Sequence, residues 1–226
     1  RKKVPDIRES ELAIVGLPVY AGRLPNLLLN YLTTWQSNGA WAVPVVVYGN
    51  RSYGNALVEL YDIFRYRGFH PIAAAAFVGQ HSFTTRLATG RPDREDLEKA
   101  EQFSAEIVRR ILQPGEFTGI KIPGQGAPDY GGYYKPKGRD EEVVNFLKAK
   151  PVTTDACIDC RRCAKVCPMG AIRLDHPSEV SGICIKCNAC VKQCPVHAKQ
   201  LTDEAYLSHV GFLENRYTSR ARIELF

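Results

Sequence analysis

The sequence predicts an α/β fold in two parts: a partial parallel sheet covered by helices, then a small α+β cysteine-rich domain. Three observations predict it. Apolar runs beginning at Leu12, Val43 and Ile72 recur about every thirty residues, with helix-patterned segments between them. All eight cysteines lie between Cys157 and Cys194. Those cysteines form an internal repeat, CIDCRRCAKVCP and CIKCNACVKQCP, in which Cys157, Cys160, Cys163 and Cys167 each have a counterpart 27 residues later.

Taken in order, the first strand runs from Leu12 and leads into the loop PVYAGRLP, residues 18–25. Residues 25–36 read as a helix, with Pro25 in its first turn and Leu24, Leu28, Leu32 and Trp35 on one face. The second strand, from Val43, leads into YGNRSYGN, residues 48–55. Its helix carries Leu57, Leu60, Tyr61 and Phe64 at i, i+3, i+4 and i+7, and Gly68 ends it. The third strand, from Ile72, leads into Gly79-Gln-His-Ser. A third helix opens at Pro92-Asp-Arg-Glu-Asp and is expected to bury Leu97, Ala100, Ile107 and Ile111. The domain so defined covers residues 1–113.

Residues 114–150 read as a connector. Seven glycines and four prolines between Pro114 and Gly138 leave no room for regular structure. Tyr130, Tyr133 and Tyr134 are candidates to lay this segment on a domain. Asp140–Lys148 is expected to form a short helix, its acidic start and basic end matching the helix dipole. The cysteine domain spans 151–201, with short strands expected at Ala171 and Ala198. Residues 202–226 are a C-terminal tail, helical around 203–215, that is expected to pack back on the chain.

The cysteine spacing has a chemical reason. An iron–sulfur cubane needs one thiolate on each of four irons, and C-x₂-C-x₂-C wraps three of them. The fourth cysteine, followed by proline, serves the neighbouring cluster in chains with two such runs. The sets are then Cys157, Cys160, Cys163 with Cys194, and Cys184, Cys187, Cys190 with Cys167. Pro168 and Pro195 suit the first position of a short helix. Two four-cysteine zinc sites are the main alternative, but zinc ribbons use paired C-x₂-C knuckles rather than three evenly spaced cysteines followed by C-P.

The composition narrows the function. No run of eighteen apolar residues occurs, so no membrane span is predicted. The start, Arg1-Lys2-Lys3 followed by a polar stretch, does not read as a secretory signal, and reduced thiols in cluster spacing point to the cytoplasm. The formal charge is +6; two clusters with their thiolates lower it to about +2. Arg161-Arg162 and the arginines at 216, 220 and 222 are read as solvated, so nucleic-acid binding is not predicted. No activated nucleophile and no paired catalytic carboxylates are present, and no catalytic residue is assigned. Among the histidines, His70, His176 and His209 read as surface or satisfied residues. His197 and His81 are placed beside a cluster and a ligand loop.

In parallel sheets, ligands bind beyond the carboxyl ends of the strands. The loops there, 18–25 and 48–55, resemble the two that hold the flavin ring in flavodoxin-like proteins. Joined to a bacterial-type ferredoxin motif, they resemble the flavodoxin–ferredoxin fusion family (EFR-type ferredoxins) of anaerobic bacteria and archaea, a similarity that includes the ending FLEN…IELF. The resemblance implies a flavodoxin-like first domain incomplete at its N-terminus and a ferredoxin domain with two 4Fe-4S clusters. It also implies an FMN site to which Tyr20, Gly22, Gly49, Asn50, Arg51 and Tyr53 contribute. Flavodoxins hold the FMN phosphate on an upstream loop at a helix N-terminus, which no stretch before Leu12 supplies.

Three functions stay open on this reading. The first is an electron carrier whose partners are redox donor and acceptor proteins. The second is a flavin-dependent reductase of a quinone or small molecule, fed by the clusters. The third is an interaction protein whose clusters only brace the fold.

Overall fold

The computed structural model describes residues 5–113, 115, 119–127 and 129–226. The basic start Arg1-Lys2-Lys3 and the connector's first residue, Pro114, lie outside them. The chain divides into two compact units. The first holds the residues up to Gln80, Ala88–Tyr134 and Ser219–Phe226; the second holds His81–Leu87 and Lys135–Thr218.

The first unit is a mixed α/β layer structure. Strands β1 (Leu12–Pro18), β2 (Trp41–Tyr48) and β4 (Ala75–Val78) are parallel, in that spatial order. Strand β3 (His70–Pro71) extends the pairing on β2, and β7 (Glu224–Leu225) closes the far edge antiparallel to β4. The apolar run from Ile72 is thus a strand in two pieces. The register shows why: Ala42 faces Pro71 and Val45 faces Ala75, so three residues of one strand stand opposite two of the other. This is a bulge. It sits beside Pro44, which brings no amide hydrogen to the ladder.

Helices cover both faces. On one, α1 (Asn26–Leu32) and α2 (Ala56–Tyr66) bury Leu32, Leu57, Leu60 and Phe64 against Ala42, Val46 and Ala76. The apolar spacing read for α2 is the face it buries. Helix α1 is shorter than the 25–36 expected. On the other face, α3 (Arg94–Leu112) packs Phe103 and Ile107 on Val43, Ile72 and Ala75. Leu97, expected in the core, is 55% exposed. The buried stripe instead follows Asp96, Phe103 and Ile107, because Asp96 is drawn inward by Arg91 and by the capping box it forms with Asp93.

The connector does not form the expected short helix. Residues 140–148 form turns, bends and a bridge from Val143 to Lys137, with Glu141 at φ +65°. The side chain of Asp140 accepts from Glu142 N, and that of Asn145 from Leu147 N, so local bonds satisfy the amides that a helix would have used. The tyrosines do lay residues 129–134 on the first unit: Tyr130 donates to Asp62 and Tyr133 to the Leu24 carbonyl.

The second unit contains the cysteine repeat and helix α6 (Glu204–Arg216). Its small core stacks Phe83, Phe146, Tyr206 and Phe212 around a buried His209. The His209 Nδ1 is bonded to the Lys137 carbonyl, a satisfied core histidine. Among the described residues, no helix is long and apolar enough to cross a membrane.

Candidate metal centre

The two cysteine runs fold alike because their backbones take the same unusual turns. Asp159 and Lys186, 27 residues apart, have φ of 52° and 54°; Arg161 and Asn188 have 59° and 56°; Gly170 and His197 have 58° and 53°. Residues with side chains rarely adopt this left-handed region. Alternating it with right-handed residues turns successive amides to one side and makes a concavity suited to an anion. A one-turn helix follows in each run, α4 (Arg162–Lys165) and α5 (Ala189–Lys192). These helices precede the fourth cysteine and carry the third. Pro168 and Pro195 therefore open turns, not helices, a correction to the expectation. The turns close with Gly170 N on the Cys167 carbonyl and His197 N on that of Cys194. His197 is thus the counterpart of a glycine in a tight turn, and its ring is solvent-exposed.

The fourth cysteines are held in matching fashion. Ala171 N donates to Cys167 Sγ at 3.3 Å, and Ala198 N donates to Cys194 Sγ at 3.2 Å. Beyond them, Ile172 bridges Val180, while Lys199 in β6 (Lys199–Gln200) pairs with Thr153 in β5 (Val152–Thr153). The repeat places Ile172 over Lys199 and Val180 over Thr153, so the two pairings are equivalent.

The thiols gather in two sets. One recess is lined by Cys157, Cys160, Cys163 and Cys194. The other is lined by Cys184, Cys187, Cys190 and Cys167. Each fourth cysteine thus lies in the recess of the other run, the arrangement read from the spacing. Among the described residues, no three His, Cys, Asp or Glu side chains are close enough to share one metal ion, whereas a polynuclear cluster takes its thiolates at separate irons. Two four-thiol recesses, each with an amide bonded to its fourth sulfur, fit 4Fe-4S groups, which supply one-electron redox chemistry.

Burial and backbone amides shift the acidity of Cys163, Cys190 and Cys194. Burial pushes Cys163 up, while the Lys199 charge pulls the other way. It pushes Cys190 up to about 11, helped by the neighbouring Cys187 and Cys184. For Cys194, burial acts upward, but the amides of Lys199, Val196 and Ala198 outweigh it and leave the thiol below its ordinary value.

Two buried polar residues also line these recesses, and neither was singled out from the sequence. Lys199, 2% exposed, lines the first. Asn188, 3% exposed, lines the second. Its Nδ2 donates to Tyr206 at 2.7 Å, and its Oδ1 is buried without a hydrogen-bond partner among the described residues. Overlaying the two halves of the repeat would have flagged Lys199, where a charge replaces an isoleucine.

The sequence-assigned flavin residues lie in the first unit. Tyr20 and Arg23 close a tight turn with Gly22 at φ +79°, and Asn55 N donates to the Gly22 carbonyl. The two loops touch so closely that a Cβ on Gly54 would sit 2.5 Å from Gly22 O. The structure thus brings Gly22 to the end of the 48–55 loop. Arg51 reaches the same turn, its guanidinium 3.6 Å from where a Gly22 Cβ would sit, whereas the side chains of Asn50 and Tyr53 are engaged elsewhere. Asn50 donates to Ser219 O and accepts from Ala221 N, Tyr53 donates to Glu224, and the Arg51 guanidinium lies 4.0 Å from the Tyr134 ring centre. Gly49 lies between Tyr48 and Asn50 with no side chain to engage. His81 belongs to the second unit, where its Nδ1 accepts from Phe83 N.

Comparison with known proteins agrees with the geometry. Residues 156–199 match the family described as a 4Fe-4S dicluster domain. No curated protein matches the chain. The C-terminal region therefore carries a ferredoxin-type 4Fe-4S domain with eight cysteines, which points to electron transfer.

Proposed function

We propose that this protein is an electron carrier holding two 4Fe-4S clusters. One is ligated by Cys157, Cys160, Cys163 and Cys194, the other by Cys184, Cys187, Cys190 and Cys167. The observation that carries this is the pairing of each fourth cysteine with the three thiols of the opposite run. The left-handed residues and the amide bonds to Cys167 and Cys194 orient the thiolates and offset their charge. Its partners are redox proteins, drawn by a cluster face rich in Arg161, Arg162, Lys165 and Lys186.

The finer part of the reading is an FMN in a flavodoxin-like sheet domain, exchanging electrons with the clusters. It is favoured by the joined glycine turns at the carboxyl ends of β1 and β2. On this reading Gly22 and Gly49 approach the ring, Tyr20 and Arg51 flank it, and Asn50 and Tyr53 act by holding the loop to the tail. The proposed domains are 1–113 for the sheet, 114–150 for the connector, 151–201 for the ferredoxin and 202–226 for the tail.

Anaerobic metal analysis with two single variants tests the main reading. About eight irons and eight sulfides per chain are expected. Cys194→Ser alters the electron paramagnetic resonance signal that Cys157→Ser alters, and leaves the signal altered by Cys184→Ser. Two zinc ions and no iron, or Cys194→Ser grouping with Cys184→Ser, would overturn the assignment.

A further inference from the structure

Lys199 is a buried cation that the cluster ligation does not use. Its ammonium donates to Thr153 Oγ1 at 2.5 Å and to the Ser178 carbonyl at 3.4 Å. Both partners are neutral oxygens. The side chain is therefore held in place without a carboxylate from these partners to cancel its charge, which is an expensive arrangement in a protein interior. The repeat supplies an internal control. The equivalent position in the other half, Ile172, is apolar and 5% exposed, and it lines the recess of Cys184, Cys187, Cys190 and Cys167. Lys199 lines the recess of Cys157, Cys160, Cys163 and Cys194.

We propose, resting on the two-cluster reading above, that Lys199 is a positioning residue for electrons. It makes the set Cys157, Cys160, Cys163, Cys194 the stronger electron acceptor of the two. An added electron makes either set more negative. A cation in the same recess favours that state, and the low polarity of a buried site strengthens the effect. The other features of the recesses point the same way. The first is also lined by Arg161 and Arg162, against Lys186 alone in the second. Cys157 and Cys160 are exposed, whereas Cys184 and Cys187 are half-buried, and water likewise favours the more negative state. The amide bonds to sulfur do not separate the sets, since each fourth cysteine receives one of nearly equal length.

The test is a redox titration of the holoprotein followed by electron paramagnetic resonance, with iron and sulfide content measured on the same samples. The wild type is expected to titrate in two one-electron steps whose reduction constants differ at least tenfold, about 59 mV. Lys199→Met and Lys199→Gln, the second keeping a donor for Thr153, each lower the higher potential by a comparable amount and move the lower one less. Lys199→Arg, which keeps the charge, restores the wild-type separation. Coincident wild-type steps would overturn the proposal. So would an unchanged higher potential in both neutral variants, or a larger shift of the lower step. Loss of iron in the wild type would instead overturn the two-cluster reading. Should Lys199→Met fail to assemble, Lys199→Gln and Lys199→Arg decide the matter between them.

Discussion

In the sheet unit, charged side chains that enter the interior meet partners from the same unit. Arg23 forks onto Glu59, and Arg91 onto Asp96, which Arg220 also reaches. Even the polar groups of the candidate ligand loop are engaged, Asn50 and Tyr53 with the last eight residues. In the cysteine unit the balance is reversed. Four thiols face each recess, a lysine enters one of them held only by neutral oxygens, and Asn188 Oδ1 has no hydrogen-bond partner among the described residues. Burying polar groups costs free energy unless they are matched. The sheet unit pairs the charges it buries, though Trp35 Nε1 has no hydrogen-bond partner among the described residues, and such pairs serve stability. The cysteine unit instead gathers its thiols and a buried lysine in two recesses, on backbone turned into rare conformations.

The largest effect that would break this contrast is expected at Arg91. Its guanidinium is nearly inaccessible, donates to Asp96 at 2.8 Å and also reaches the Ala221 carbonyl at 2.6 Å. Arg91→Met leaves the buried Asp96 carboxylate with Arg220, at 3.3 Å, and the Asp93 amide, at 3.0 Å. Removing one member of a buried pair costs about 3–5 kcal/mol, and the remaining arginine places this case near the lower end. Urea denaturation followed by circular dichroism reads the loss as a lower midpoint. A loss under about 1 kcal/mol would mean that the pair is dispensable, as at a surface.

Acid sharpens the same point. The hydrogen bond from Arg91 holds the Asp96 carboxyl below the usual carboxylate range, against the opposing effect of burial. A folded value below the unfolded one gives stability that is complete above the unfolded value, about 3.9. That stability is lost as pH falls through the folded value. The urea midpoint should therefore hold from neutral pH to about pH 4 and fall below it. Arg91→Met should blunt the fall, since Asp96 then titrates nearer its unfolded value. Parallel curves for the two proteins would assign the acid sensitivity to other carboxylates, such as Asp93, which Arg220 also holds low.

What was legible in the sequence follows the range over which each signal acts. Which cysteines share a recess was readable because their spacing acts locally. Helix α2 was readable because one apolar stripe crosses it. Helix α3 misled because Leu97 and Phe103 lie on neighbouring stripes, and the choice fell to Asp96, drawn in by an arginine outside the helix. The segment 140–148 carried helix-like charges, but Asp140 and Asn145 captured the amides first. The pairing of Asn50 and Tyr53 with residues about 170 positions later leaves no periodic trace at all. Flavin contacts inferred for those side chains rested on the loop alone.

The smallest effect bears on that last point. Tyr53 donates to Glu224 Oε2 at 2.8 Å, and its ring meets Tyr48 edge-on at 5.5 Å, while Tyr48 donates to the Arg222 carbonyl. Burial and then the Glu224 carboxylate push the Tyr53 phenol well above its usual range, so it remains a donor at any ordinary pH. Tyr53→Phe keeps the ring and its contact with Tyr48 and removes a single hydrogen bond to an exposed carboxylate. Such a bond contributes about 0.5–1.5 kcal/mol, and water can solvate Glu224 in its place, so the lower half of that range is expected. A double-mutant cycle with Glu224→Ala isolates the coupling from the loss of either side chain's other contacts. Measured by urea denaturation, a coupling of about 0.5 kcal/mol or more shows that the hydroxyl binds the tail to the loop. No coupling would free Tyr53 for a ligand and make the polar groups of the sheet unit as available as those of the cysteine unit.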